Sequence, residues 1–437
     1  MSHSHLTYGL GIVLSATASA FGNGISNDTP APIQASAPTV QAPVSATDMR
    51  TFWSSGLRFE TADKQIQYSI SGRIHADGTW IHADDEIDTG SGTSDDDRVG
   101  FRRSRLQVEG VFYESVAFRT QYDFAGANAN FRDVYLQFRK LFWGTTLWVG
   151  QFREPFSLDQ LNSSNDNPFL ERSLVDIFAP SRSTGIALSG NGQGGKINYH
   201  AGVFHANGAG NDTTYPNNGN AVGDGSYAVT GRFTYAPMLN DKGTEVLHFG
   251  AAVSRRSVDG YTRNVTRPEF DSNGTSTPAP PDGWVFADFA DAECVLLMGG
   301  EAAFIRGPLA LQGEFVQAEI DNDGSADRSA HGYYVQATYG LTGEGRTYKG
   351  ALIQRPSPTD PYKGPGTGGG AWELAARYSF LDLNDGSVAS TDTENITVGV
   401  NWYANPQVAV RLNYVMADFD EYDGGANAIG VRFQFVF

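Results

Sequence analysis

The chain has 437 residues and is poor in several features that mark common protein classes. It contains no apolar run of about 18 residues, so no α-helix in it can cross a bilayer. Its mean hydropathy is −0.33. Strands stay open as a route across, because a spanning β-strand needs only about 9–11 residues and half of its positions can face water. Cysteine is reduced to one, Cys294, which excludes an internal disulfide. Lys and Arg number 31 against 49 Asp and Glu, a net charge of −18. Without a basic footprint, a nucleic-acid partner is excluded.

Chemistry-bearing constellations are equally sparse. The 8 histidines are scattered, and His200 and His205 stand on opposite faces of one strand, so they form no metal pair. Asp321, Asn322, Asp323 and Asp327 could offer oxygens to calcium, but the downstream glutamate of a calcium loop is missing and an Asp/Gly turn is expected. Gly190–Lys196 has phosphate-loop spacing, yet Ile197 stands where Ser or Thr would hold magnesium, and the segment joins two strands. No Ser/His/Asp grouping emerges. The expectation is a chain without catalytic residues, metal or cofactor.

What the chain does have is 51 glycines, 12% aromatic residues and a persistent period of two. Ile66, Tyr68, Ile70, Gly72 and Ile74 alternate with Gln67, Ser69, Ser71, Arg73 and His75. Trp372, Leu374, Ala376, Tyr378 and Phe380 share a face, as do Val408, Val410, Leu412, Tyr414 and Met416. The last strand places Ile429, Val431, Phe433, Phe435 and Phe437 opposite Arg432 and Gln434. About sixteen such segments run from Gln65 to Phe437. Their connections alternate in length. Long polar ones fall near 84–98, 154–183, 207–225, 257–293, 321–329, 382–392 and 418–426, and short ones near 114–115, 142–144, 190–195, 238–245, 306–308 and 404–406. That asymmetry belongs to outer-membrane barrels, with short periplasmic turns and longer outer loops. The expected fold is all-β: a transmembrane antiparallel β-barrel of about 16 strands, whose even count puts both termini in the periplasm. Two connections depart from the rule: 126–129 is short where a long one is expected, and 343–370 is long where a short one is expected. Ahead of the barrel, Leu6–Ala20 with Ala18-Ser19-Ala20 suits a signal peptide over 1–20, although its start carries no Lys or Arg. Residues 21–60 suit a Pro/Ala/Ser-rich periplasmic leader, and 61–437 the barrel.

Charge is segregated. The loops at 84–98, 257–293, 321–329, 382–392 and 418–426 hold 24 of the 49 acidic residues and only 4 basic ones, a net of −20 that leaves about +2 elsewhere. Over 99–153, eight Lys/Arg face four Asp/Glu. An acidic rim on a mildly basic wall is expected.

The segments Phe101-Arg102-Arg103-Ser104-Arg105-Leu106, Gln121-Tyr122-Asp123-Phe124 and Val149-Gly150-Gln151-Phe152-Arg153-Glu154-Pro155-Phe156-Ser157-Leu158 resemble the phosphate-selective porin O/P family of Gram-negative bacteria. Glu171-Arg172, Pro180-Ser181-Arg182 and Gly370–Ser379 extend the likeness, which covers about 60–437. The terminal Phe437 resembles the closing residue of outer-membrane barrels. The resemblance implies a trimeric porin of sixteen strands whose third outer loop, here about 154–183, folds into the lumen and narrows it. It implies partners in phosphate-like anions, outer-membrane lipid and lipopolysaccharide, and further copies of the chain. An anion filter needs guanidinium or ammonium groups in a narrow, poorly screened passage. Arg103 and Arg105 share one strand parity and Arg119 lies on the next strand's equivalent; Arg153, Arg172 and Arg182 belong to the constriction loop or its base. These six are the candidate pore-lining, anion-binding residues. Glu109, Asp123, Glu154 and Glu171 are their candidate counter-charges, and Arg102, on the opposite parity, is expected as an interfacial anchor. Two readings of function stay open: an anion-preferring, phosphate-passing diffusion pore, or a general, cation-tolerant pore governed by its acidic vestibule. A barrel enzyme is a third and remote one.

Overall fold

A computed structural model describes residues 48–84, 98–126, 129–205, 226–257, 262–266, 269–270, 285–289, 292–324, 326–383, 392–420 and 424–437. The expected signal peptide, most of the leader and most of the acidic loops at 84–98, 257–293 and 382–392 lie outside the described residues. The chain begins with a hairpin of β1 (Met49–Trp53) and β2 (Leu57–Thr61). There follow β3 (Ile66–Ala83), β4 (Arg98–Phe112), β5 (Val116–Asp123), β6 (Asn130–Phe138), β7 (Thr146–Arg153), β8 (Arg182–Gly192) and β9 (Ile197–His205). Next come β10 (Tyr227–Leu239), β11 (Glu245–Ser257), β12 (Thr262–Thr266), β13 (Val285–Phe289), β14 (Ala292–Arg306), β15 (Leu309–Asn322) and β16 (Arg328–Gly340). The last are β17 (Thr347–Lys349), β18 (Leu352–Gln354), β19 (Ala371–Asp382), β20 (Thr393–Tyr403), β21 (Val408–Phe419) and β22 (Gly424–Val436).

Every sheet neighbour is antiparallel, and β22 pairs back onto β3 from Ala426↔Ala83 to Val436↔Arg73. Sixteen strands (β3–β11, β14–β16, β19–β22) therefore close into a barrel with no free edge. β12–β13 and β17–β18 are small hairpins within connections. The β1–β2 hairpin begins inside the segment expected to be leader. It continues the wall where β22 ends, pairing Leu57↔Ile70 to Glu60↔Gln67, while Phe437 and Gly72 exchange backbone hydrogen bonds at 2.7 and 3.0 Å.

The alternation is inverted relative to a soluble protein. On β20–β22 the apolar Ile396, Val398, Leu412, Tyr414, Ile429 and Phe433 are exposed, whereas Asn395, Thr397, Arg411, Asn413, Arg432 and Gln434 are buried. An apolar outer band and a polar lumen satisfy the backbone within a closed sheet, as a bilayer requires. The wall is uneven: β5, β6, β7 and β9 have 8, 9, 8 and 9 residues, and β14, β15 and β22 have 15, 14 and 13.

The lumen is filled on the tall side. The β7–β8 connection, 154–181, enters the barrel and buries Leu174, Val175, Ile177 and Phe178 against Leu297, Val316, Ile320 and Leu381. Each such apolar side chain contributes about 1.5–3 kcal/mol. The anomalously long 341–370 connection enters from the opposite end. Its β17–β18 hairpin packs Tyr348, Ala351 and Ile353 on Leu158 of the first insert, and the Ile353 N–H donates to Asn162 Oδ1 at 3.0 Å. Glu269 and Phe270, from the β12–β13 connection, are also buried inside.

Candidate functional site

The run 150–157 launches the first insert, residue by residue. Gly150 has φ 130 where a Cβ would overlap the Val134 carbonyl, a backbone that L side chains avoid. Gln151 Nε2 donates to the Arg132 carbonyl at 2.8 Å. Arg153 Nη1 donates to the carbonyls of Leu161 and Asn162 at 2.9 and 3.0 Å. Glu154, fully buried, accepts from Arg256 Nη1 at 2.8 Å and from Ser183 and Thr230 hydroxyls at 2.6 Å each. Phe156 is fully buried against Gly299. Ser157 caps the turn Leu158–Leu161 by accepting from the Gln160 N–H, and Glu314 of β15 accepts the Leu158 and Asp159 N–H groups at 2.9 and 2.6 Å.

Further along, Glu171 is the insert's latch to the seam of the barrel. Arg102 grips both its oxygens at 2.8 and 3.0 Å, and Arg432 of β22 reaches it at 3.2 Å while pairing with Asp77 of β3 at 2.6 Å. Burial works to raise the Glu171 carboxyl, but Arg102, Arg103 and Arg432 more than offset it and hold the group at about 2. Burial pushes Asp176 on the same insert up to about 6, against the pull of Arg172.

Arg102 is thus inside the barrel and not the interfacial anchor expected from parity. A bulge is the cause: β3 pairs His75↔Arg103 and then Ala76↔Phe101, skipping Arg102. An extra residue in one strand shifts the alternation by one, so Arg102 and Arg103 both turn inward while Phe101 is exposed.

Between the insert and the short wall lies a cavity of about 460 Å³. Six arginines line it: Arg73, Arg105, Arg119, Arg153, Arg182 and Arg232. Asp133 is its one lining carboxylate. The lining runs from Ser163 on the insert to Gly144 and Gly190 at the short-turn end. Four of the arginines are tethered: Arg105 to Asp123 at 2.6 Å, Arg119 to Glu109 at 2.6 Å, Arg182 to Asp133 at 2.7 Å and Arg232 to Glu301 at 2.5 Å. Arg73 instead meets only the Ser163 and Ser164 hydroxyls, and Arg153 only carbonyls. Among the described residues these two make no ion pair, and the buried Arg153 Nε has no hydrogen-bond partner. Guanidinium groups left with neutral partners in a confined space favour an anion through charge-assisted hydrogen bonds.

Of the six arginines singled out in the sequence, Arg105, Arg119, Arg153 and Arg182 converge on this cavity. Arg103 does not line it; its Nη1 lies 3.4 Å from His75 Nδ1 and its Nη2 4.0 Å from Glu171. Nor does Arg172, which ties the insert to itself through the carbonyls of Asp159, Gln160 and Asn162 at 2.9–3.2 Å. Sequence reasoning passed over Arg73 and Arg232. Arg73 carried the inward parity of Gln67, Ser69 and Ser71, and that parity alone could have found it.

The family model for phosphate-selective porin O and P matches residues 74–437. The chain belongs to that family. It is an outer-membrane porin of the Gram-negative type. Porin O of Pseudomonas aeruginosa is 26% identical over 422 residues, covering 87% of this chain and 91% of the relative. A Caulobacter vibrioides protein of uncharacterised function is 26% identical over 401 residues, 88% of this chain and 76% of that protein. Among solved structures, the anion-selective porin from Comamonas acidovorans aligns with a TM-score of 0.52 at 14% identity, covering 85% of this chain and 100% of that one. The outer membrane channel DcaP of Acinetobacter baumannii aligns at 0.53 and 12% identity, covering 87% and 99%. Both share the barrel fold.

Proposed function

We propose that this porin passes small hydrophilic anions by passive diffusion and that phosphate is among those it favours. The observation that carries the reading is the cavity's lining of six arginines and one aspartate beside the insert. An anion crossing there would exchange hydration for guanidinium donors, with Arg73 and Arg153 the best placed because their hydrogen bonds go to hydroxyls and carbonyls and not to a carboxylate. Asp133 would leave the site positive without trapping its cargo, since conduction needs binding weak enough to release.

The protein acts as a channel and not an enzyme, assembles as a homotrimer, and sits in lipid with its acidic loops beside lipopolysaccharide. The long connections face outward and both termini the periplasm, with 1–20 removed as a signal peptide and 21–60 forming the leader. In support, the family relative is named Porin O, and one solved barrel of this shape is described as anion-selective.

A second reading keeps a specific observation on its side. The loops with a net of −20 would repel anions on approach and gather cations. The reversal potential of the purified channel in a tenfold salt gradient separates the two. Anion preference, with chloride current reduced by added phosphate, supports the first reading; cation preference, or indifference to phosphate, overturns it.

A further inference from the structure

The cavity carries aromatic rings as well as guanidinium groups, and the permeation of a bare inorganic anion uses only the latter. Among the guanidinium groups stand Tyr135 of β6 and Trp148 of β7, with ring centroids 4.9 Å apart and Arg119 Cζ 5.8 Å from the Tyr135 ring. Phe152 backs the indole at 5.3 Å and His200 lies 5.3 Å from it. The rear rings Phe152 and Phe204 are 2% and 1% exposed, as packing residues are. Tyr135 and Trp148 are only partly buried, and they line the space. The indole donor is already engaged, since Trp148 Nε1 donates to Ser189 Oγ at 2.8 Å. What Trp148 offers the cavity is therefore its ring.

Apolar ring surface facing water in an anion path is a cost unless something covers it. A volume of about 460 Å³ falls in the range of sites for small organic molecules, which combine aromatic walls with a few placed charges. We propose that this cavity is a subsite for aromatic oxyanions, an aryl phosphate or aryl carboxylate, with the charged group on Arg73 and Arg153 and the ring against Trp148 and Tyr135. This rests on the anion reading of the same site and narrows its cargo. Offset or edge-on ring contact adds to the charge interaction, so an aryl anion is held more tightly than an inorganic one of equal charge.

The test is block of chloride current through the reconstituted porin by phenyl phosphate and by inorganic phosphate. Phenyl phosphate is expected to half-block at a concentration about tenfold lower, the scale of one good aromatic contact. Trp148→Leu should erase that ratio and leave inorganic phosphate block within about twofold, while Trp148→Phe keeps most of it. Should Trp148→Leu fail to assemble, Tyr135→Leu carries the same comparison. Equal half-block by the two anions in the native pore, or an unchanged ratio in the leucine variant, overturns the aromatic subsite while phosphate block still upholds the anion reading. Failure of both anions to block, with a cation-side reversal potential, overturns both.

Discussion

Arg153 and Arg172 are nineteen positions apart, look alike as sequence and both donate to the Asn162 carbonyl, yet only Arg153 lines the cavity. Arg153 sits at the cavity with a buried Nε–H that meets no acceptor; Arg172 is turned to the backbone of its own segment. Replacing Arg153 with Ala should weaken phosphate block by about tenfold, as loss of one charge-assisted hydrogen bond predicts, and also lower the melting temperature, because the bonds to the Leu161 and Asn162 carbonyls go with it. Arg172→Ala should differ in leaving phosphate block unchanged at first order while the melting temperature falls by an amount consistent with about 1–3 kcal/mol. Chloride-current titrations and differential scanning calorimetry check the pair. Parity in the sequence could place side chains on the inner face, because a strand offers only two. It could not tell cavity from latch, since that depends on which carbonyl or carboxylate a folded loop brings alongside. At Arg102 even parity misleads, because a bulge leaves no mark in the pattern of apolar and polar residues.

At the scale of the element, the 154–181 insert is held by carboxylates that differ in their response to acid. Glu171 is depressed to about 2, so its contribution is fully present above its ordinary value of 4.5 and is lost as pH falls through about 2. The latch should thus hold unchanged from pH 8 to 5, with single-channel conductance constant there and rising only in stronger acid. Asp176 is raised from 3.8 to about 6, so the native fold prefers it protonated and carries a penalty that builds as pH rises between those values and is complete above about 6. Asp176→Asn should accordingly stabilise the porin at pH 8, by at most about 3 kcal/mol for a shift of this size, and have no effect at pH 4. Thermal unfolding at the two pH values reads the difference directly. Cutting the buried anchor is more severe. Glu154→Gln leaves Arg256 without its counter-charge inside the barrel, a loss of about 3–5 kcal/mol, and should raise conductance as the insert loosens. Little of this element was visible beforehand. The length of 154–183 announced an insert, but the second insert at 341–370 registered only as an exception to a rule. Its contacts, such as the Ile353 N–H on Asn162, Arg346 on Glu373 at 2.8 Å and Tyr348 on His248 at 2.9 Å, come from isolated side chains and backbone groups, which carry no periodic signal.

For the whole molecule, the strands were the legible part. A wall with lipid on one side and a polar lumen on the other imposes the period of two on nearly every strand, and closure imposes an even count. Where the inserts dock, the rule weakens: Leu297, Val316 and Ile320 face inward as apolar residues because the insert, and not water, covers them. The closed barrel should run as a compact, heat-modifiable species on unboiled gels, and Arg432→Met should shift it to the unfolded position at a lower temperature. That substitution removes the pair with Asp77 that joins the last strand to the first. Because the same guanidinium also holds Glu171, sealing the cylinder and seating its internal constriction are one mechanical act. Efforts to widen this pore by trimming the latch will therefore meet a trade-off at the seam, where a gain in bore disturbs the guanidinium that reinforces the β22–β3 ladder.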